Sequence, residues 1–254
     1  MKYSQFILYF INVQKMNKHP LVSIILPTYN RANTISKAIA SVIKQTYNNW
    51  ELIIWDDGSV DSTKDIIDKF NDNRILYFWD NNRGVATARN CAIENSSGEY
   101  IAFLDSDDQW TKNKLTTQMN VFHNHQSIDF LFSDFLNIDI NGRILNKSID
   151  KYSKFFDKMI KIKLEKDTYE IKSGFLKQIC FNNFIATDTV VLKREVLKKY
   201  GFFNTTLKSS EDFELWWRLR LNRVVMGYIS KNLLNRYKGI DSLSNLNIAS
   251  IEAQ

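Results

Sequence analysis

Tyr100-Ile101-Ala102-Phe103-Leu104, followed without a break by Asp105-Ser106-Asp107-Asp108, is the stretch on which the reading of this chain turns. The first five residues are apolar and read as a buried strand. The next four put three carboxylates at its mouth. Like charges at the edge of an apolar strand repel one another, and they are costly to desolvate unless something positive joins them. A hard divalent cation suits such a place, because it keeps several waters and takes further oxygens from a substrate phosphate. A solvated turn is the competing reading, since Asp and Ser both favour turns.

Working outward, Val22 to Leu26 is a short β-branched apolar run ended by Pro27, the pattern of a strand covered on both faces. Asn33 is a plausible cap for a helix with Ile35, Ala38, Ile39, Val42 and Ile43 on one face. Glu51 to Trp55 predicts a second strand, ending in Asp56-Asp57-Gly58-Ser59. Asp61 or Ser62 caps the next helix, with Ile66, Ile67 and Phe70 inward. Further strands are expected at Ile75 to Trp79 and Ile128 to Phe132, and helices at Val85 to Ile93 and Lys112 to Phe122. Strand, loop and helix in repeated alternation predict an α/β fold with a mostly parallel central sheet flanked by helices. Ligands in such sheets lie outside the carboxyl ends of the strands. Both acidic groups, Asp56-Asp57 and Asp105 to Asp108, fall at those ends, which makes a shared site far more economical than two unrelated turns.

After residue 135 the alternation fails. Asn141-Gly142 signals a hairpin. Residues 150–165 read as a helix with Lys151, Lys154, Lys158 and Lys161 on one face, suited either to an anionic membrane surface or to simple docking on the domain. Asp188-Thr189 precedes an apolar strand at Val190 to Leu192. Glu211 to Leu221 is an aromatic-rich helix carrying Phe213, Trp216 and Trp217.

The 254 residues are 44% hydrophobic with 17 Phe, 11 Tyr and 6 Trp, enough for one large core or two small ones. With only 8 Gly and 2 Pro, disorder and collagen-like structure are excluded. Cys91 and Cys180 match no metal or redox spacing and read as reduced packing residues of a cytosolic protein. The net charge of +6 is concentrated in residues 143–177, where ten Lys/Arg face five Asp/Glu. That stretch could meet a membrane surface or serve as a solvated face. No run reaches the roughly 18 apolar residues of a membrane span. Tyr3 to Val13 is apolar but lacks the features of a secretory signal. A surface anchor, a packed extension and an upstream start all fit it. His123-Asn124-His125 lacks further ligands and reads as a solvated helix end.

Pro27-Thr28-Tyr29-Asn30-Arg31, Asp56-Asp57-Gly58-Ser59-Val60-Asp61-Ser62-Thr63, Gly84-Val85-Ala86-Thr87-Ala88-Arg89-Asn90, Asp105-Ser106-Asp107-Asp108 and Glu211-Asp212 together, in this order, resemble the family-2 glycosyltransferases. These are inverting, nucleotide-sugar-dependent enzymes of the GT-A fold, and the resemblance runs from about Leu21 to Leu221. It implies that Pro27, Thr28, Tyr29, Arg31, Asp56, Asp57, Gly84, Arg89, Asp105 and Ser106 bind the donor. Asp57 would accept a hydrogen bond from a pyrimidine N–H, as an acceptor-only carboxylate can. Arg89 either pairs with phosphate or the acidic group, or is structural. The Asp105 to Asp108 segment matches the DxD motif, with Asp107 the ligand to Mn²⁺ or Mg²⁺ and Asp108 behind it. Asp212 takes the part of catalytic base, while Asp188, Thr189, Glu211 and Trp216 are acceptor-side candidates.

The resemblance implies a single GT-A domain over residues 21–230, with a nucleotide-sugar half at 21–135 and an acceptor half at 136–230. An extension at 1–20 precedes it and a tail at 231–254 follows. A Gln-x-x-Arg-Trp element is missing, so one sugar is expected to move rather than a polymer to grow. The expected donor is a UDP-sugar by default, with a dTDP-sugar meeting the same pyrimidine contact and a GDP-sugar left open. The expected acceptor is a glycan or lipid-linked saccharide of bacterial surface polysaccharide synthesis, used in the cytoplasm or on the inner face of the membrane. Nucleotidyl transfer would need a Gly-rich, Lys-bearing loop after the first strand, where Pro27 to Arg31 has no glycine. A non-catalytic carbohydrate- or membrane-binding descendant of the fold would have lost its carboxylates, and these are present. No nucleic-acid motif accompanies the basic stretch, and none of that class of partner is expected.

Overall fold

The computed structural model describes residues 19–139 and 141–238. The apolar segment Tyr3 to Val13, most of the expected extension and residues 239–254 of the expected tail lie outside the described residues.

The first half follows the predicted alternation. Strands β1 (Val22–Thr28), β2 (Trp50–Asp56), β3 (Ile75–Trp79) and β4 (Tyr100–Phe103) pair in parallel, in the order β3-β2-β1-β4. All seven residues of β1 are buried, as a strand covered on both faces requires. Helices α1 (Ile35–Ile43), α2 (Thr63–Ile67) and α3 (Val85–Glu94) make the crossovers. Ile35, Ala38, Ile39 and Val42 of α1 are buried, whereas Ile43 is exposed. The cap of α1 differs from the Asn33 reading: the Arg31 carbonyl accepts the Thr34 and Ile35 N–H groups. Asp61 does serve α2, accepting the Thr63 N–H at 3.0 Å.

Register places the carboxyl ends of β1 and β2 side by side, with Thr28 opposite Asp56. The Asp57 N–H donates to the Thr28 carbonyl at 2.8 Å, and the Leu104 N–H to the Ile25 carbonyl at 3.0 Å. Both acidic groups therefore emerge on one sheet edge.

The second half extends the same sheet with mixed strands. Strand β5 (Gln109–Trp110) and helix α4 (Lys114–Asn124) lead into β6 (Phe130–Asp139). Strand β7 (Ile144–Lys147) folds back on β6 across the Asn141-Gly142 turn. Strand β10 (Val191–Lys193) inserts antiparallel between β4 and β6. The final described strand, β11 (Met226–Lys238), runs parallel to β6 and continues well past residue 230, where the domain was expected to end.

Residues 150–165 are not one helix. Helix α5 covers Ser148–Phe156, and β8 (Ile160–Glu165) then pairs with β9 (Thr168–Ser173). The four lysines fit a helical period, but Ile160-Lys161-Ile162-Lys163 alternates with period two, the strand signal. Asp167, at φ 62°, turns the hairpin. Tyr152 and Phe156 of α5 are buried, and Phe156 stacks on Tyr228 at 4.5 Å.

Helices α6 (Phe175–Ile179), α7 (Arg194–Tyr200) and α8 (Glu211–Leu221) complete this half. Cys91 is half-buried and Cys180 exposed, so Cys180 is not the packing residue expected. Among the described residues no helix is long and apolar enough to cross a membrane.

Candidate active site

A cavity of about 670 Å³ opens across the carboxyl ends of β1, β2 and β4. One wall comes from the loop after β1. Pro27, Thr28, Tyr29 and Arg31 all face it, and the Tyr29 ring stands exposed at the mouth. Asp57 joins them from the loop after β2. Its two carboxylate oxygens accept the Arg83 and Gly84 N–H groups, each at 2.8 Å. That grip holds the 82–84 loop against the cavity, and each oxygen keeps a further lone pair for a ligand N–H. Asp56 does not reach the cavity. It is fully buried, accepting from the Ser59 N–H and the Tyr77 hydroxyl, so its task is to shape the Asp-Asp-Gly-Ser loop.

The floor is Asp105 to Asp108. Arg89, on α3 and almost wholly enclosed, donates to Asp105 at 2.8 Å and to Glu211 at 2.6 Å. The acidic loop and the start of α8 are thereby joined through one guanidinium. Charge-assisted pairs of this kind are strong and directional. Its Nε remains buried without a partner.

Asp107 faces the cavity, and burial, with Asp105 beside it, raises its pKa. Arg31 and then Arg236 act against that rise. Asp108 is buried behind it and accepts the Tyr237 N–H of β11 at 2.8 Å. Asp188 lies beneath the loop and accepts the Asp105 N–H at 2.8 Å. Burial raises the pKa of both Asp108 and Asp188, and the neighbouring carboxylates add to the rise. Asp188 is thus the support of the acidic loop more than an open acceptor wall.

Among the described residues no group of three or more His, Cys, Asp or Glu side chains is gathered to enclose a metal ion. The donor set nevertheless fits Mn²⁺ or Mg²⁺. Those ions accept one or two carboxylates and draw their other ligands from water and phosphate. Asp107, desolvated beside a second carboxylate, would be relieved by such a charge.

The far wall begins at Ser210, whose left-handed backbone (φ 63°) introduces α8. Glu211 and Asp212 follow and face the cavity. Asp212 accepts from the Asn183 amide at 3.1 Å and the Thr187 hydroxyl at 3.2 Å. Burial first, and Glu211 second, raise its pKa, against the pull of Arg89. A carboxylate held in place and made more basic is suited to take a proton from a hydroxyl.

Two acceptor-side expectations fall outside the cavity. Trp216 is completely buried and packs on Phe103, Phe130 and Phe203. Thr189 is equally enclosed, its hydroxyl donating to the Ala186 carbonyl. In each case a polar or aromatic side chain next to a site motif points into the core. Sequence reading missed Asn183, Thr187, Tyr152, Arg236 and Tyr237, all of which line the cavity. None carries a local motif, and Arg236 reaches the site only because β11 runs beside β6.

A parallel sheet, widened by antiparallel strands and carrying an acidic cavity across its carboxyl ends, is the GT-A class of glycosyltransferase fold. A model of Glycosyl transferase family 2 matches residues 23–200, and the chain belongs to that family. It is 38% identical over 197 residues to the Escherichia coli enzyme named UDP-Glc:alpha-D-GlcNAc-diphosphoundecaprenol beta-1,3-glucosyltransferase WfgD, covering 77% of this chain and 68% of that one. The Bacillus subtilis protein described as the putative teichuronic acid biosynthesis glycosyltransferase TuaG is 42% identical over 136 residues, 52% of this chain and 54% of the other. Among solved structures, S. aureus TarS 1-349 in complex with UDP-GlcNAc superposes with a TM-score of 0.67 at 25% identity, over 87% of this chain and 59% of that one. The chain therefore spans about three fifths of TarS 1-349 and just over half of TuaG.

Proposed function

We propose that the protein transfers a single sugar, with inversion, from a UDP-sugar to a lipid-linked saccharide during bacterial surface polysaccharide synthesis. The observation that carries this reading is the single cavity shared by Asp57, Asp107 and Asp212. Tyr29, Thr28 and Asp57 would hold the nucleoside, with the 82–84 loop behind them. Arg31 lies close to Asp107 and suits the diphosphate. A bound Mn²⁺ or Mg²⁺, held by Asp107 with Asp105 beside it, would supply positive charge to the departing diphosphate.

Asp212 acts as base. It takes the proton of the acceptor hydroxyl as that oxygen attacks the anomeric carbon, and the bond to the nucleoside diphosphate breaks on the opposite side. Inversion follows from that single displacement. Asn183 and Thr187 keep Asp212 aimed, and Glu211 with Arg89 ties its helix to the donor floor.

The names of the Escherichia coli relatives support a UDP-hexose donor and a polyprenyl-diphosphate acceptor. A membrane-face location is consistent with the basic stretch, where Ile144, Leu145, Ile160 and Ile162 stand exposed among lysines. The donor half, residues 21–135, and the acceptor half beyond it would work as one domain, with the acceptor half reaching Lys238.

A panel of nucleotide sugars, with and without Mn²⁺, tests the reading by thermal shift and by sugar transfer. A UDP-sugar should raise the melting temperature more strongly with the cation present. No binding of any nucleotide sugar at millimolar concentration would refute it.

A further inference from the structure

One turn of the chain serves both walls of the cavity. Thr187–Thr189 forms a short 3-10 turn ahead of β10. The Thr187 hydroxyl donates to Asp212 at 3.2 Å, and the next side chain, Asp188, accepts the Asp105 N–H at 2.8 Å. The aim of Asp212 and the seat of the acidic loop therefore depend on the same three residues.

That turn is held from beneath by side chains of β5 and α4. The Trp110 indole donates to the Asp188 carbonyl at 3.0 Å, and the Gln118 amide to the Thr189 carbonyl at 2.9 Å. Lys114 touches both of these donors. It is the first residue of α4 and completely buried. Its Nζ stands 4.4 Å from the Trp110 ring centroid and donates to Gln118 Oε1 at 2.6 Å. The segment that carries Trp110 and Lys114 is itself tied to α1 and the residues after it. Ser41 Oγ accepts the Trp110 N–H at 3.1 Å, and Gln45 accepts the Leu115 N–H at 3.0 Å.

A lysine is costly at this position. Burial disfavours its charge, and the positive end of a helix repels it. An apolar side chain of similar volume would fill the space at less cost. Burial lowers the Lys114 pKa to about 7, and Asp188 opposes the fall. What an apolar side chain cannot do is donate. The Thr189 carbonyl only accepts, so Gln118 must turn its nitrogen to Thr189 and its oxygen elsewhere. Lys114 meets that oxygen. Charged or neutral, its amine donates, so the amide is satisfied at both ends and held in one orientation.

We propose that Lys114 is a positioning residue: through Gln118 and Trp110 it fixes the 187–189 turn, and with it the spacing between Asp212 and the acidic loop. What that spacing is used for rests on the sugar-transfer reading above. Lys114 itself does not line the cavity.

Three variants test this: Lys114→Met, Gln118→Met and the double variant. Each replaces a buried side chain by an apolar one of similar length. The first readout needs no ligand. Amide hydrogen exchange on the free chain compares the Asp105 N–H, which Asp188 holds, with the Asp57 N–H, which the Thr28 carbonyl holds on the donor wall. Lys114→Met should speed exchange at Asp105 by about tenfold and leave Asp57 within about twofold. The second readout is turnover of UDP-glucose with Mn²⁺ and an N-acetylglucosaminyl diphosphate ester of an alkyl alcohol. There kcat should fall by about tenfold with KM for UDP-glucose within about twofold, because a misplaced base costs rate more than donor binding. The double variant should lose no more than the worse single one, since both changes break one relay.

Equal acceleration at Asp105 and Asp57 would mark a general loss of stability and overturn the proposal. Unchanged exchange at Asp105, an unchanged kcat, or losses that multiply in the double variant would overturn it too. Should Lys114→Met fail to fold, Gln118→Met decides alone, and wild-type exchange at Asp105 in that variant would overturn the relay. A wild type that neither binds nor turns over any nucleotide sugar would instead strike the sugar-transfer reading, while the exchange result still judges the relay.

Discussion

Arg89 and Glu211 stand 122 residues apart in sequence and meet at 2.6 Å in the fold. The same guanidinium holds Asp105 at 2.8 Å, so the strand-end carboxylates and the helix that presents Asp212 share one buried cation. One guanidinium therefore fixes the spacing between the acidic loop and the start of the helix that carries Asp212.

Replacing Arg89 by Met keeps most of the packing and leaves two carboxylates without their partner. Removing one member of a buried ion pair costs about 3 kcal/mol or more. The low end applies here, because Asp105 keeps 36% of its side chain in water. Urea denaturation should register that loss, and Arg89→Lys should recover only part of it, since an ammonium lacks the planar fork that reaches both acids. Unchanged stability in Arg89→Met would remove Arg89 from its bridging role.

Asp107→Asn tests the cation. Its neutral amide no longer attracts a hard divalent ion, so the gain in UDP affinity on adding Mn²⁺ should shrink by about tenfold. Affinity in EDTA should stay near the wild-type value under the same conditions. A variant that responds to Mn²⁺ as fully as wild type would rule out Asp107 as the ligand.

How much of this was legible beforehand follows from where the information lies. Asp57, Asp107 and Asp212 sit in short contiguous motifs at strand or helix ends, and the β1 to β4 alternation carries its own hydrophobic period. Those features are local, and sequence exposes them. The support beneath them is not local. Asp188 holds the Asp105 N–H from 83 residues away, and Tyr237 holds Asp108 from 129 residues away. Only the insertion of β10 and the long run of β11 bring them in. The misread helix at 150–165 has a different cause. Lysines at helical spacing outweighed a six-residue alternation, and charged positions on a surface say less about period than apolar ones do.

Gly58→Ala should disturb the nucleotide side. Gly58 has φ +88°, and a Cβ there would stand 2.9 Å from the Asn82 backbone nitrogen. The left-handed backbone alone costs about 1–2 kcal/mol for a residue with a side chain. The collision adds to this and displaces the 82–84 loop that Asp57 grips. Gly84 shares the unusual backbone (φ +89°) but has open space around it. Gly84→Ala should therefore lower stability by about the conformational cost only. Melting temperature and UDP affinity, measured together, should both fall further in Gly58→Ala than in Gly84→Ala, and the reverse order would contradict the close approach.

Asp212→Asn isolates the proton transfer. The amide preserves the size of the side chain but cannot accept a proton, so kcat should fall by about a hundredfold to ten-thousandfold with UDP affinity retained. The pH profile carries a sign that can be checked. A base works only when deprotonated, and burial with Glu211 raises the Asp212 pKa. The acid limb of kcat/KM should therefore lie above the ordinary aspartate value of about 3.9. The Thr187 hydroxyl donates to the charged carboxylate and favours it, opposing the rise. Thr187→Val removes that donor, so its acid limb should move to still higher pH while the alkaline side stays where it was. An acid limb that stays put in Thr187→Val, or transfer by Asp212→Asn at the wild-type rate, would show that the proton leaves by another route.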